Sequence, residues 1–378
     1  MDSPSEFSNP PSYSFLLVDT SKEDQRVSSG PANQNSAAAD LPKELLELIL
    51  SPLDLRDNIR ASAVCKSWQA VATSVRKSDR SPWLMICPKE GNLYDFYDPT
   101  LRKTYSLDLP ELTGSRICYA KDGWLLLSKP RTRRVFFFSP YTLELIKLPK
   151  LQLAHQTVAF SAAPTSDNCI LFTVKHVNPM LVAVSTCRPG DDAWTTINFE
   201  NQLPFFSSIW TKMVFSKGRF YCLSLTGWLG VYNTTNGIWA VLSVPPPKCT
   251  EYISAESWWK GKFMAEYNGD ILFVYTCPAV NPIIYKLDEM KQVWVEMGSL
   301  EGMTFFANFL SSHVRADLLG KMRNNVYFSK VLYYGKRCVT YSVDRDRYYP
   351  RKQPYDWGEQ DSFQSIWIDP PEDVSTIL

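Results

Sequence analysis

The sequence has little to offer metal or nucleophile chemistry. It holds three histidines, His155, His176 and His313, none of them four residues from another or beside a cysteine pair, so zinc finds no ligand set of ordinary spacing. G-x-S-x-G, P-loop and G-x-G-x-x-G motifs are all missing, which removes the usual sequence warrants for a hydrolase, an NTPase or a dinucleotide enzyme. No catalytic residue, cofactor or metal is therefore expected. An excess of one charge is missing too: 40 Lys plus Arg face 39 Asp plus Glu, a formal net charge of +1, so no global field draws the chain to nucleic acid or anionic lipid. No run approaches the ~18 apolar residues of a membrane span. The 9 cysteines form no C-x-x-C pair and no compact cluster, as free thiols in a reducing compartment would. The first forty residues lack the charged-then-apolar layout of a secretory signal. The expectation is a soluble protein of the cytoplasm and/or nucleus, with neither nucleic acid nor membrane as partner.

What is present points to strands. The aromatic share is 13%, with 12 Trp, 19 Tyr and 20 Phe, a composition that suits pleated surfaces better than helix bundles. The pattern divides the chain into residues 1–39, a leader rich in Ser, Pro and Asn that offers little to pack; residues 40–78, where the period is helical; and residues 81–370, where it is that of strands.

In the helical segment Leu41, Leu45, Leu46, Ile49, Leu50 and Leu53 recur at helical spacing and predict one broad apolar stripe. Pro42 is tolerated in the opening turn, where a missing N–H does no harm, and Pro52 disfavours helix at Ser51. A second helical stretch follows, with Asp54 or Asp57 as cap and Ile59, Val64, Cys65, Trp68 and Val71 on its apolar face. So small a unit buries too little surface to stand alone, and it calls for a partner. Leu41-Pro42-Lys43-Glu44-Leu45-Leu46-Glu47-Leu48-Ile49-Leu50, then Leu53-Asp54-Leu55-Arg56-Asp57, then Val64-Cys65-Lys66-Ser67-Trp68 resembles an F-box in order and spacing. The resemblance implies a three-helix unit that docks on the Skp adaptor of cullin-RING ubiquitin ligases. It assigns Leu41, Pro42, Leu45, Ile49, Leu53, Val64, Cys65 and Trp68 to that docking face or to its support.

From Ser81 onward short apolar and aromatic runs are broken by Gly, Pro, Asn and Asp every 8 to 12 residues, the mark of antiparallel strands. A degenerate unit recurs six times, beginning near Trp83, Asp122, Cys169, Gly218, Gly261 and Asn325. Such repeats predict blades stacked in a ring, because no blade buries its faces alone. The segment Gln364–Asp369 is placed as the piece that closes the ring on the first blade. Lys121-Asp122-Gly123-Trp124-Leu125-Leu126-Leu127-Ser128, Phe138-Ser139-Pro140-Tyr141-Thr142 and Leu148-Pro149 resemble the plant family of F-box proteins with a C-terminal kelch-like domain. The double glycine of true kelch repeats is absent from every copy. The fold expected is mainly β with a small all-α N-terminal unit: an F-box followed by a kelch-like β-propeller of six blades.

Two basic runs, Lys129-Pro130-Arg131-Thr132-Arg133-Arg134 and Arg345-Asp346-Arg347, read either as solvated turns or as sites for phosphate or an acidic degron. Trp194, Trp239 and Trp294 recur at one place in successive units and fit blade packing better than a ligand cage. The function these features imply is a non-catalytic adaptor: the substrate receptor of an SCF-type ubiquitin ligase, joined through Skp to a cullin. Its F-box docks and its propeller holds a target protein. Two other classes stay open, a propeller binding module outside any ligase and a propeller enzyme acting on a small metabolite or carbohydrate.

Overall fold

The computed structural model describes residues 41–51, 53, 61, 64–75, 81–151, 157–245, 261–277, 280–316, 318, 320–332, 337–350 and 365–370. The leader, Asp54, Asp57, Ile59 and His155 lie outside these. Two compact units are present, one holding the described helices together with Tyr105–Leu107 and the other the remaining described strands.

The helical unit has two described helices, α1 (Lys43–Leu50) and α2 (Lys66–Val75). Leu46 and Leu50 from α1 meet Val71 and Ala72 from α2, all four buried, with Leu41, Leu53, Ala61, Trp68 and Val75 packed around them. The broad stripe read from the sequence is thus divided. Leu46 and Leu50, one turn apart, form the inner seam, whereas Leu45 and Ile49 turn outward. Val64 and Cys65 also differ from expectation, since they precede α2 in non-helical backbone instead of lying on its apolar face.

The described strands form six sheets, five of four strands and one of five, as the repeats predict. The first contains β1 (Trp83–Ile86), β2 (Leu93–Asp98), β3 (Lys103–Asp108) and, on its inner side, β25 (Ser365–Ile368). The second is β4 (Arg116–Lys121), β5 (Trp124–Lys129), β6 (Arg134–Phe138) and β7 (Leu145–Leu148). The third is β8 (Val158–Phe160), β9 (Leu171–Asn178), β10 (Leu181–Cys187) and β11 (Thr195–Glu200), and the fourth β12 (Lys212–Ser216), β13 (Arg219–Leu223), β14 (Leu229–Asn233) and β15 (Ile238–Leu242). The fifth is β16 (Lys262–Tyr267), β17 (Asp270–Cys277), β18 (Val280–Asp288) and β19 (Val293–Met297). The sixth is irregular. Its β20 (Thr304–Ala307) runs parallel to β22 (Asn325–Leu332), β21 (His313–Arg315) is added inside it, and β23 (Arg337–Ser342) and β24 (Arg347–Tyr349) complete it.

Aromatic side chains fill the joints between blades. Phe137 and Phe160 meet edge-on at 4.9 Å between blades two and three, Phe172 stacks on Phe220 at 4.7 Å between three and four, and Phe263 meets Phe328 at 5.7 Å between five and six. Tyr221 and Phe273 share one buried cluster between four and five. Two of the three recurring tryptophans are wedges toward the preceding blade, whereas Trp294 packs on Phe273 of its own blade at 5.5 Å. Trp194 Nε1 donates to Pro149 O at 3.0 Å, and Trp239 Nε1 donates to Asn201 Oδ1 at 2.9 Å while its ring meets Phe205 edge-on. Ring closure is by β25, whose Trp83↔Ile368 and Ile86↔Ser365 pairs with β1 are antiparallel. The segment expected to close the ring does so.

Candidate functional site

Three places are candidates: the outer face of the helical unit, the middle of the ring and the ring's charged surface. In the helical unit Pro42 stands at the N-cap of α1, where its carbonyl accepts from the N–H groups of Leu45 and Leu46, each at 3.1 Å. Its lack of an N–H is harmless there, as the sequence implied. Cys65 caps α2: its carbonyl accepts from Gln69 N–H at 2.8 Å, and its thiol lies 3.0 Å from Ser67 Oγ. The Ser67 hydroxyl and the Trp68 N–H draw the thiol below its ordinary pKa, because both favour the thiolate.

With Leu46 and Leu50 turned inward, α1 presents Leu45, Leu48 and Ile49 outward at 47%, 71% and 46% exposure, and Val64 adds 57%. Residues three and four apart share a helix face, so Leu45, Leu48 and Ile49 make one apolar row in water. Of the residues assigned from sequence, Leu45, Ile49 and Val64 are exposed, Pro42 and Cys65 hold helix starts, and Leu41, Leu53 and Trp68 support the inner seam. Leu48 was missed. Its signal was its spacing, three from Leu45 and four from Pro52, but the inner seam alone already satisfied the helical period.

In the middle of the ring the segment between β20 and β21 crosses between inner strands. Phe309 packs on Phe263 at 5.2 Å and on Trp210 at 6.2 Å, and its carbonyl accepts from Lys212 Nζ at 2.8 Å. Ser311 Oγ accepts from Ala120 N–H at 3.2 Å. Lys212 and Lys262 open the inner strands of adjacent blades and are both buried, at 4% and 6% exposure. Burial, reinforced by the like charge of Lys262, lowers Lys212 to about 7.

The two described histidines serve neighbouring backbone. His176 Nδ1 accepts from Ser207 N–H at 3.1 Å, and His313 Nε2 donates to Trp367 O at 3.1 Å. His313 Nδ1 is 3.8 Å from Asp369, which also pairs with Arg315. Among the described residues no group of three or more His, Cys, Asp and Glu could hold a metal ion.

On the ring surface a trough of about 1100 Å³ lies over blades four and five. Its charges largely bridge one another, Arg219 with Glu289 at 3.4 Å and Lys286 with Asp270 at 2.7 Å. The basic run at 129–134 forms the exposed β5–β6 turn, and Arg345 and Arg347 donate to the Tyr349 hydroxyl.

Two family models match the chain, F-box-like over residues 38–77 and KIB1-4 beta-propeller over residues 93–358. Relatives from Arabidopsis thaliana match along most of it. The F-box/kelch-repeat protein At1g57790 is 42% identical over 90% of this chain and 96% of its own length. The F-box protein At4g00893 is 42% identical over 90% and 88%. The F-box/kelch-repeat protein KIB1 is 25% identical over 79% and 78%. The outward apolar row falls within the first match and all six sheets overlap the second, and the chain belongs to the family of F-box proteins that carry a KIB1-4 β-propeller.

Proposed function

We propose that this protein is the substrate-receptor subunit of an SCF-type ubiquitin ligase: its helical unit docks on a Skp adaptor, and through it a cullin, while the propeller holds the protein to be modified. The observation that carries the proposal is the row Leu45, Leu48, Ile49 and Val64, four large apolar side chains left in water by a unit whose own seam is already filled. Fully burying such a side chain stabilises by about 1.5–3 kcal/mol, so the row supplies a useful interface after ordering costs are met. The chemistry of ubiquitin transfer then belongs to other subunits, and the rigid ring raises the local concentration of the bound target. The described cysteines are free thiols, which suits work in the cytoplasm or nucleus.

The test is binding of the purified full chain to the Skp adaptor by calorimetry. Ile49→Ala and Leu48→Ala are each expected to weaken binding by about fivefold to thirtyfold, the effect of losing roughly 1–2 kcal/mol at an anchor. The unfolding midpoint of the propeller is expected to stay in place. Undiminished binding by the double variant would remove the helical row from the interface and the receptor assignment with it.

A further inference from the structure

One hairpin of blade two gathers cations that form no ion pair among the described residues. Strand β5 ends on Lys129, the turn carries Arg131 and Arg133, and β6 begins with Arg134. Strand β7 sets Lys147 opposite Phe136, and the Leu151 N–H donates to Arg133 O at 3.2 Å, keeping the backbone of Lys150 beside the turn. Cross-strand partners share a face of the sheet, as do alternate residues along a strand. The pairs Lys129↔Arg134, Leu127↔Phe136 and Phe136↔Lys147 therefore bring three cations to one face.

The display is held in place. Thr132 N–H and hydroxyl both donate to Lys129 O, at 3.1 and 3.4 Å. Arg133 occupies the left-handed region at φ 55°, which a residue with a Cβ adopts at some cost. The Lys129 ammonium lies 5.8 Å from the centroid of Phe136.

Four cations elsewhere on the propeller are paired: Arg219 with Glu289, Lys286 with Asp270, Lys291 with Asp288, Arg315 with Asp369. Among the described residues none of Lys129, Arg131, Arg133, Arg134, Lys147 and Lys150 takes part in an ion pair. In a chain whose formal net charge is +1, this cluster is a local excess that opposes folding by self-repulsion. We propose that the β5–β6 hairpin, with β7 beside it, is the docking site for an acidic peptide segment, rich in Asp and Glu, of the target protein; this rests on the receptor reading above. A nucleic acid is less well suited. Single-stranded binders stack bases on aromatic faces, and the aromatic residue beneath these cations, Phe136, is only 4% exposed.

The experiment uses the full chain and a fluorescein-labelled peptide of alternating Glu and Ser, followed by anisotropy. Binding is expected to weaken about tenfold or more in Arg131→Glu/Arg134→Glu, and again in the independent pair Lys147→Glu/Lys150→Glu. It is also expected to fall as salt rises from about 50 to about 200 mM. All four positions are exposed, so unfolding midpoints are expected to stay unchanged. Absence of peptide binding, equal binding by wild type and both variants, or tighter binding of an alternating Lys and Ser peptide, polyuridine RNA or phosphatidylserine vesicles overturns the proposal. Adaptor capture by the same samples reports separately on the receptor reading: if capture fails while charge-dependent peptide binding persists, that reading falls and the docking site stands.

Discussion

Trp367→Ala is expected to lower the stability of the propeller by about 3–5 kcal/mol, the range for removing a fully buried large aromatic. Trp367 sits at 0% exposure in the closing strand, opposite Leu84 of β1. Its ring meets Phe306 edge-on at 5.1 Å, and its Nε1 donates to Ala307 O at 3.0 Å. Truncation therefore leaves a cavity and also a buried carbonyl without its donor, and the two losses add in kind. The position matters beyond its volume. Each blade keeps its outer strand as an edge, but β25 supplies the inner strand of the first blade, so a weakened seam bares the edge of β1 that this pairing covers. Trp367→Phe keeps most of the ring volume and loses the hydrogen bond, so it is expected to cost only about 1–2 kcal/mol. Urea unfolding followed by far-UV circular dichroism measures both. A Trp367→Ala midpoint indistinguishable from wild type would mean that the seam does not hold the ring together.

Why this seam and β16 were legible in sequence, when four other inner strands were not, starts from burial. Middle strands stand out as runs bounded by turn residues: β5 between Asp122-Gly123 and Pro130, β13 and β14 on either side of Gly227. One face of an outer strand reaches water, and alternation results. β15 alternates exposed and buried positions from Ile238 to Val241, and in β11 and β19 every position is exposed or half-buried. The inner strands β4, β8, β12 and β20 were not assigned from sequence. Val158, Ala159 and Phe160 of β8 are all fully buried, as are Thr304, Phe305, Phe306 and Ala307 of β20, so neither shows any alternation. A strand of three or four residues buried on both faces cannot be told from a stray apolar fragment by periodicity. The closing strand shares that character, and it was placed because a ring of repeats requires a last piece near the end of the chain.

The helical site was legible to a similar depth. Spacing gave the helices, but it could not divide Leu45 and Ile49 from Leu46 and Leu50. All four lie within one broad arc, and only the position of α2 decides which pair turns inward. The basic hairpin was visible as a run at 129–134. Lys147 and Lys150 join it only through the register of β7, which no local pattern reveals.

Lys212→Met is expected to make the protein more stable at pH 7, by about 2 kcal/mol, and to flatten the pH dependence of its stability. An ordinary lysine titrates near 10.5, whereas burial beside the like charge of Lys262 brings Lys212 to about 7. Between those values the unfolded chain binds a proton that the folded chain has released, so stability rises with pH across that interval. The penalty is complete below pH 7 and gone above about 10.5, with a slope approaching ~1.4 kcal/mol per pH unit. From pH 7 to pH 9 this side chain alone is expected to add about 2–3 kcal/mol to wild-type stability. Methionine keeps an unbranched apolar stem and removes the charge. What it gives up is the hydrogen bond to Phe309 O at 2.8 Å and the approach to the Phe309 ring at 4.9 Å, roughly 1 kcal/mol, less than the cost of holding a cation in that place. Buried thiols act in the opposite sense. Burial raises Cys169 and Cys187 to about 11, so the fold retains protons that the unfolded chain releases, and stability falls as pH rises through the ordinary thiol range. Those thiols are common to both proteins. Urea titrations of wild type and variant at pH 7, 8 and 9 therefore isolate Lys212 in the difference between the two curves, which is expected to shrink steadily with pH. A difference that stays constant would show that the ammonium group keeps its proton inside the ring, and that the carbonyl of Phe309 and the ring beneath it compensate its burial in full.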